Sequence, residues 1–356
     1  MPWFDAHLDL ACVARLGRDM YAADLASISL PWPPAAVTLP SLHDGGVRWC
    51  LATIFTEPGG TDEVGFPQWD GPAAARRGHE QLDIYKAWER DGYFLRWGQP
   101  APPAPHTQLP LLAGILIEGA DPIAQPDELD WWADQGVVAI GLSWALSSRY
   151  AGGNSTDDPL TQLGEDLIKR MDARGIVHDL SHLSDVALDQ LLRCTDRPVI
   201  ASHSNCRALI DTDGQRRQRH LTDATITEIG RRGGMIGINV FSPFILPGSA
   251  RDRRATPAQW AAHVSRTCDL MKTRSQVGLG SDMDGGFSAA MMPEGLNRPA
   301  DLPVLSNALS AQGWTREEVE GFEHRNWLRF WENSASPGAS AISATTLVNN
   351  AHSPSM

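Results

Sequence analysis

Residues of metal-ligand type recur at one kind of place in this sequence. His7 and Asp9 close the apolar run Trp3–Asp9, Glu118 closes Leu111–Glu118, His182 closes Ile176–His182 and His203 closes Pro198–His203. Asp282 closes a further run, Val277–Asp282. In an extended strand, residues two apart point to the same face, so His7 and Asp9 can chelate one ion. The two oxygens of Glu118 can bridge that ion to a second one held by the neutral imidazoles of His182 and His203. Three protein ligands per ion with open positions is the catalytic rather than the structural zinc pattern. A bridged pair of divalent ions lowers the pKa of a shared water towards neutrality. Asp282 is then the group to accept the nucleophile's proton and pass it to a leaving amine. His178, four residues before His182, is expected to share its inward face at a deeper level. Asp5, two residues before His7, is expected to orient that ring. Any one of these residues alone has a plainer explanation as a hydrogen-bonded core residue; the joint pattern is what points to a metal site.

The elements that position them follow from the apolar runs. Besides the five already named, Val47–Ile54, Val137–Trp144 and Met235–Val240 are short, apolar and bounded by turn residues. Such runs predict strands buried on both faces. Amphipathic stretches separate many of them, clearest at Gly78–Asp91, Pro126–Gln135, Pro159–Arg174, Ser184–Cys194, Thr222–Arg232 and Pro257–Thr273. Ser184 and Thr222 are N-cap residues in this reading. Strand–helix alternation repeated eight times predicts a single (β/α)8 barrel of the TIM type over residues 1–333. Only one helix, between the first two strands, is weakly marked. Pro58–Asp70 and Gln99–Leu109 are expected to be rim loops, Thr315–Trp331 an extra C-terminal helix with a Thr315–Glu318 capping box, and residues 334–356 a loose tail. In such barrels the chemistry sits at the C-terminal ends of the strands, where all of the candidate ligands fall.

Composition narrows the partners. Of 356 residues, 42% are hydrophobic and 21% charged, enough for a large core and too apolar for global disorder. Thirty basic against forty-three acidic side chains leave a net charge of −13, and only Lys86, Lys169 and Lys272 are lysines. Nucleic acid and anionic membrane both select basic patches, so neither is expected as a partner. The five cysteines are scattered without CxxC spacing, which excludes a cysteine zinc site and fits a reducing compartment. No signal peptide or membrane-spanning run is visible, so the expected location is cytoplasmic. A small molecule is the expected partner, and a homodimer is compatible with the sequence.

With these residues in hand, the sequence resembles the membrane (renal) dipeptidase family, peptidase family M19 of the metal-dependent amidohydrolases. The matching segments include DAHLDL (Asp5–Leu10), IEGAD (Ile117–Asp121), LTQLGEDLIKRMDARGIVHDLSH (Leu160–His182), RPVIASHSNCRAL (Arg197–Leu209) and VGLGSDMDGG (Val277–Gly286). The resemblance runs in order from about residue 3 to residue 332. It implies a centre of two divalent ions, zinc by preference, with His7, Asp9 and Glu118 on one ion and Glu118, His182 and His203 on the other. It implies that Asp282 handles the proton and that Arg219 holds the substrate carboxylate, a role suited to a guanidinium fork. The activity implied is hydrolysis of small dipeptides, including those with a D-residue at the C-terminal position, by hydroxide generated at the metal centre.

The sequence departs from the family at one telling place. Where the family carries a substrate-contacting histidine after the fourth strand, this chain has Trp144, which can donate one hydrogen bond but cannot become an imidazolium. Arg149 is the expected partial substitute. The turn before the last helix, glycine-rich in the family, reads His324-Arg325-Asn326. Trp144 makes a second enzyme reading specific: the same metal centre acting on a different small amide, lactam or lactone. A non-catalytic, metal-stabilised binding protein is a third reading, which the presence of Asp282 argues against.

Overall fold

A computed structural model describes residues 1–99, 110–210, 218–248 and 253–334. Eight short strands form its centre: β1 (Trp3–Leu8), β2 (Val47–Phe55), β3 (Leu111–Glu118), β4 (Val137–Gly141), β5 (Val177–Asp179), β6 (Ile200–Ala201), β7 (Met235–Ile238) and β8 (Val277–Leu279). Each pairs in parallel with the next and β8 pairs with β1, which closes the sheet into a barrel. A three-residue strand, Phe94–Arg96, pairs with the start of β3 at Leu111–Ala113, below the stretch Ile115–Glu118 that β4 occupies. Every residue of β3, β4 and β7 is buried, as expected for strands covered on both faces.

Helices cover the outside and begin where the polar side chains can cap them. Ser184 accepts from the Ala187 amide and Thr222 from the Thr225 amide. Thr315 and Glu318 form the expected reciprocal capping box. The weakly marked region between β1 and β2 contains two short helices, Leu10–Arg15 and Leu39–Asp44. No helix among the described residues is long and apolar enough to cross a membrane.

Two expectations of secondary structure need correction. The C-terminal helix is broken by a π-helical turn, Gly321–Arg325, before it resumes at Asn326–Asn333. The Asn326 side-chain amide donates to the Arg274 and Val277 carbonyls and so ties the resumed helix to the start of β8; π-helical turns of this kind interrupt α-helices as single bulges. Strands β5, β6 and β8 also end two or three residues before His182, His203 and Asp282. Of the expected rim loop Gln99–Leu109 only Gln99, and of the expected tail only Ser334, lies among the described residues.

The lower barrel is filled by inward side chains, among them Phe4, Leu51, Leu116, Val177, Ile200 and Met235, packed with Trp97, Trp327 and Trp331. Trp327 stacks on Phe4 with ring centroids 5.7 Å apart and donates its indole N–H to the Leu279 carbonyl at 3.0 Å. Gly278 makes room for it: a Cβ there would stand 2.4 Å from the indole nitrogen. Trp327→Ala therefore removes a fully buried ring from the barrel base. The expected loss is about 3–5 kcal/mol of unfolding free energy, measured by denaturant titration; a loss below about 1 kcal/mol would show that the base does not rest on this ring.

Candidate metal centre and active site

The candidate ligands converge because the strands stop where they do. The Asp179 carboxylate, at the end of β5, accepts from the Ser181 amide at 3.0 Å and the Ser202 amide at 2.9 Å. These bonds replace the strand ladder with a turn, and His182 follows in the left-handed region at φ 67°. Asp282 stands likewise at φ 60°, after the Asp5 carboxylate has accepted from the Ser281 amide and hydroxyl. Left-handed backbone at non-glycine residues is costly and clusters at functional sites. The same turns change two orientations expected from the strand repeat. His178 points outward, with Nε2 2.8 Å from Asp172 on the helix Gln162–Arg174, and Asp179 takes the inward place. Asp5 bonds the backbone amide of His7 rather than its ring. Strand β1 shifts register against β2 between Asp5 and Leu8, so both Ala6 and His7 turn inward.

All five predicted ligands meet in the barrel mouth, and Glu118 divides them. Its Oε2 lies 3.3 Å from His7 Nε2, which is 3.7 Å from Asp9 Oδ1. Its Oε1 lies 3.2 Å from His182 Nε2 and 3.4 Å from His203 Nε2. Within each set, His7–Asp9–Glu118 and Glu118–His182–His203, the ligand atoms lie within 4.8 Å of one another.

The hydrogen bonds on the far side of each ring assign the tautomers. Ser202 Oγ donates to Asp179 and faces His203 Nδ1 at 2.8 Å and His7 Nδ1 at 3.2 Å. A hydroxyl has one proton and two lone pairs, so it accepts from both imidazoles and is then fully used. His182 Nδ1 faces Asn154 Oδ1 at 2.8 Å. When the three rings are neutral, their Nε2 atoms therefore present lone pairs to the mouth. Two of them, on His182 and His203, are only 2.9 Å apart, and His7 Nε2 is buried with no hydrogen-bond partner. Lone pairs crowded against a carboxylate fit divalent cations, and the nitrogen and oxygen donors suit zinc, manganese, cobalt or iron. A third cluster, His7–Asp179–His203, lies on the Nδ1 side, where Asp179 is already engaged.

Electrostatics tell the same story. Burial disfavours charge on His7, yet the facing Glu118 and Asp9 carboxylates outweigh it and raise its pKa to about 10. Burial, reinforced by Glu118, lifts Asp9 to about 6. Burial and the nearby Arg219 lower His182 to about 4. Burial opposes ionisation of Glu118, but His7 and His182 hold its pKa well below the usual range. Without an added cation, the cluster keeps its carboxylates by protonating His7.

Above the cluster lies a cavity of about 880 Å³. Asp282 lines it, its Oδ2 held at 2.9 Å by the Asn239 amide. Gly285 packs against this group: a Cβ there would fall 1.8 Å from Asp282 Oδ1 and 2.8 Å from Asp9 Oδ2. Arg219 is buried beside it, donating to the His203 carbonyl at 3.0 Å and the Ser204 hydroxyl at 3.3 Å, its guanidinium 4.9 Å over the Phe244 ring. Arg216 and Arg217, its neighbours in the basic run, lie outside the described residues. Trp144 also lines the cavity, edge-on to Phe55 at 5.0 Å and 5.9 Å from the His182 ring. Arg149 does not reach it. Its guanidinium is committed to Asp121 and to the Asp121, Ile123 and Ala124 carbonyls, so the expected substitution for the missing histidine does not occur.

Several functional residues have no clear sequence signal. Ser202, Asp179, Asn154 and Asn239 are ordinary polar residues until the barrel closes. Thr53 donates to Asp9 from a strand that reads as plain core. Asp284 pairs with buried Arg18 and accepts from the Ala36 and Val37 amides, tying the proline-rich segment to the loop after β8. The repeated acid in DMDGG is the one cue that could have flagged Asp284.

A closed (β/α)8 barrel carrying this histidine–carboxylate cluster at its mouth defines a metal-dependent hydrolase. The sequence pattern of the membrane dipeptidase family (peptidase family M19) matches residues 1–341, and the chain belongs to that family. A protein from the pqqA 5′ region of Klebsiella pneumoniae is 30% identical over 226 residues, 61% of this chain and 80% of that protein. An uncharacterised dipeptidase of Schizosaccharomyces pombe is 24% identical over 352 residues, 95% of this chain and 82% of its own length. The fold is shared with a metallopeptidase from Rhodobacter sphaeroides solved with a phosphinate mimic of the dipeptide L-Ala-D-Ala. That structure has a TM-score of 0.76 and 23% identity, and the match covers 94% of this chain and 99% of that one.

Two measurements test the cluster. Asp9 ionises only above its raised pKa, so in metal-free protein its charge costs stability as pH rises from about 4 through about 6. The His7 proton offsets that cost and is lost only through about pH 10. A divalent cation must displace these protons. The gain in Tm on saturating chelator-treated protein with zinc should therefore be larger at pH 8 than at pH 5.5, and an equal gain would place the ion elsewhere. Ser202→Ala removes the acceptor of two imidazoles and should weaken metal affinity about 10–100-fold in competition with a chromophoric chelator.

Proposed function

We propose that this chain is a two-zinc dipeptidase that cleaves small dipeptides, including those with a D-residue at the C-terminal position. The observation that carries the reading is the division of Glu118, one oxygen towards His7 and Asp9 and the other towards His182 and His203. In it, His7, Asp9 and Glu118 hold one ion and Glu118, His182 and His203 the other. Ions held there would lower the pKa of a water molecule and polarise the scissile carbonyl.

The chain's own groups supply the rest. Asp282 takes the proton of the attacking water and returns it to the leaving amine. Burial raises its pKa well above the ordinary carboxylate range against the pull of His7. Asn239 fixes one of its oxygens, so the other carries the proton. Arg219, held by the His203 carbonyl and the Ser204 hydroxyl, anchors the substrate's terminal carboxylate. The D-residue preference draws support from the L-Ala-D-Ala mimic bound by the Rhodobacter sphaeroides relative.

Trp144 favours a second reading with the same centre. Its indole meets Phe55 edge-on and makes an apolar wall suited to a cyclic amide, lactam or lactone. A panel of L–L and L–D dipeptides with zinc-loaded protein separates the two. The dipeptidase reading expects turnover that falls at least about a thousand-fold in Asp282→Asn with both metals retained. No turnover in the parent, with dipeptidase activity gained in Trp144→His, would favour the cyclic substrates.

A further inference from the structure

Arg219 is a buried guanidinium that forms no ion pair among the described residues. Its terminal nitrogens meet the His203 carbonyl and the Ser204 hydroxyl, and its Nε is buried with no hydrogen-bond partner. A buried charge without a counter-charge is costly, and so long a side chain carries its head to water when its backbone gives way. The backbone on both sides of it must therefore be held.

On the C-terminal side the chain is tied by its own backbone. The Leu221 amide donates to the Asn205 carbonyl at 3.0 Å, and the Arg207 amide donates to the Leu221 carbonyl at 2.9 Å. Arg207 adds its Nε to the His220 carbonyl at 2.8 Å while its terminal nitrogens grip Asp185 at 2.8 and 2.6 Å. On the N-terminal side the described residues offer the side chain of Gln218. Its Oε1 accepts from the Asp185 amide at 2.6 Å, an N–H that the first turn of the helix Asp185–Cys194 leaves without a partner inside the helix. Its Nε2 donates to the Thr156 carbonyl at 2.9 Å and to Asp157 Oδ1 at 2.8 Å. A flipped amide would set donor against donor and acceptor against acceptor, so these partners admit one orientation. Gln218 thus joins its own loop, after β6, to the loop after β4 and to the helix that follows β5. Gln218, Asp157 and Arg219 all line the cavity.

We propose that Gln218 is the positioning residue of Arg219: its carboxamide pins the loop after β6 so that the buried guanidinium stays aimed into the cavity, and it thereby sets how tightly a substrate carboxylate is held. The hold on Arg219 stands on these bonds alone; its effect on substrate rests on the dipeptidase reading. Each bond of this kind is worth about two- to tenfold in an equilibrium.

The first test is the rate at which phenylglyoxal modifies Arg219 in the zinc-loaded full chain, read by mass spectrometry of its peptide. Gln218→Ala should speed that reaction at least about tenfold while Arg18, buried elsewhere in an ion pair with Asp284, reacts no faster. Gln218→Glu keeps the acceptor for the Asp185 amide but sets a carboxylate against Asp157 and the Thr156 carbonyl, so it should also expose Arg219. Adding Asp157→Asn returns a donor to that carboxylate and should recover most of the protection. Parent-like protection in Gln218→Ala, a rise shared by Arg18, or no recovery in the double variant would overturn the proposal. Should Gln218→Ala fail to fold, the near-isosteric Gln218→Glu and its double variant carry the test.

The second test is KM in the dipeptide assay. Gln218→Ala should raise it about tenfold with a much smaller change in kcat. The matching dipeptide amide, which has no carboxylate for Arg219, should bind parent and variant equally well as substrate or competitor. An equal loss for the amide would overturn the positioning role. An unchanged KM for the dipeptide would overturn the effect on substrate and leave the dipeptidase reading standing. If the parent turns over no dipeptide, that reading falls and the effect on substrate falls with it; the phenylglyoxal rate still decides whether Gln218 holds Arg219.

Discussion

A carboxylate buried among three imidazoles is the constraint on which this structure turns. Glu118 is almost inaccessible, and its oxygens lie 3.3 Å from His7 Nε2, 3.2 Å from His182 Nε2 and 3.4 Å from His203 Nε2. A buried charge is tolerated only when it is paired, and here burial and the neighbouring carboxylates push the Asp9 and Asp282 carboxyls up as well. The cluster is thus frustrated by itself and relieved by cations. It holds apart groups that would otherwise disperse into water, which makes the barrel mouth a preorganised receptor for positive charge.

That receptor is only as precise as the groups behind it. Ser202 satisfies two histidines and one aspartate with a single hydroxyl, which allows His7 and His203 one tautomer each. The barrel is narrow at this level: a Cβ on Gly237 or Gly280 would reach 1.9 or 1.8 Å from the Ser202 carbonyl oxygen. Those two glycines let β7 and β8 close on the loop that carries Ser202 and His203. The aromatic plug of Trp327 and Trp331 below, and the Arg18–Asp284 pair above, keep the closed ring from shifting. Burial and ligand geometry are therefore the same problem solved once.

The cavity wall shows how such a centre changes its surroundings without changing itself. Trp144 makes part of the wall an apolar surface where the family pattern has a histidine, and Asn154 lines the cavity nearby. The ligand cluster beneath is untouched by the exchange, because its orienting bonds come from the strand ends and from Asp179, Ser202 and Asn154. Trp144 and Phe55 on the wall are thus separate from the residues that orient the cluster.

The barrel was legible in the sequence because buried parallel strands read as short apolar runs and because helices announce their starts with Ser184, Thr222 and Thr315. The five candidate ligands were legible for a related reason: a charged or titratable residue ending an apolar run has no cheap place in a core. What the sequence could not specify was direction and partnership. A strict two-residue repeat turned His178 inward and aimed Asp5 at a ring, whereas the turn after Asp179 and the irregular register of β1 reverse both. Arg149 looked available because its loop lies near the site, and only packing against Asp121 shows that its donors are spent. Ser202, Asp179, Asn154 and Asn239 carry no signal of their own, since a polar side chain becomes an orienting group only when closure sets it against a buried imidazole or carboxylate. The sequence by itself determined which residues could bind metal and which layers would bury them. Tertiary structure alone decided which of their atoms converge, because that depends on hydrogen bonds made between strands far apart in the chain.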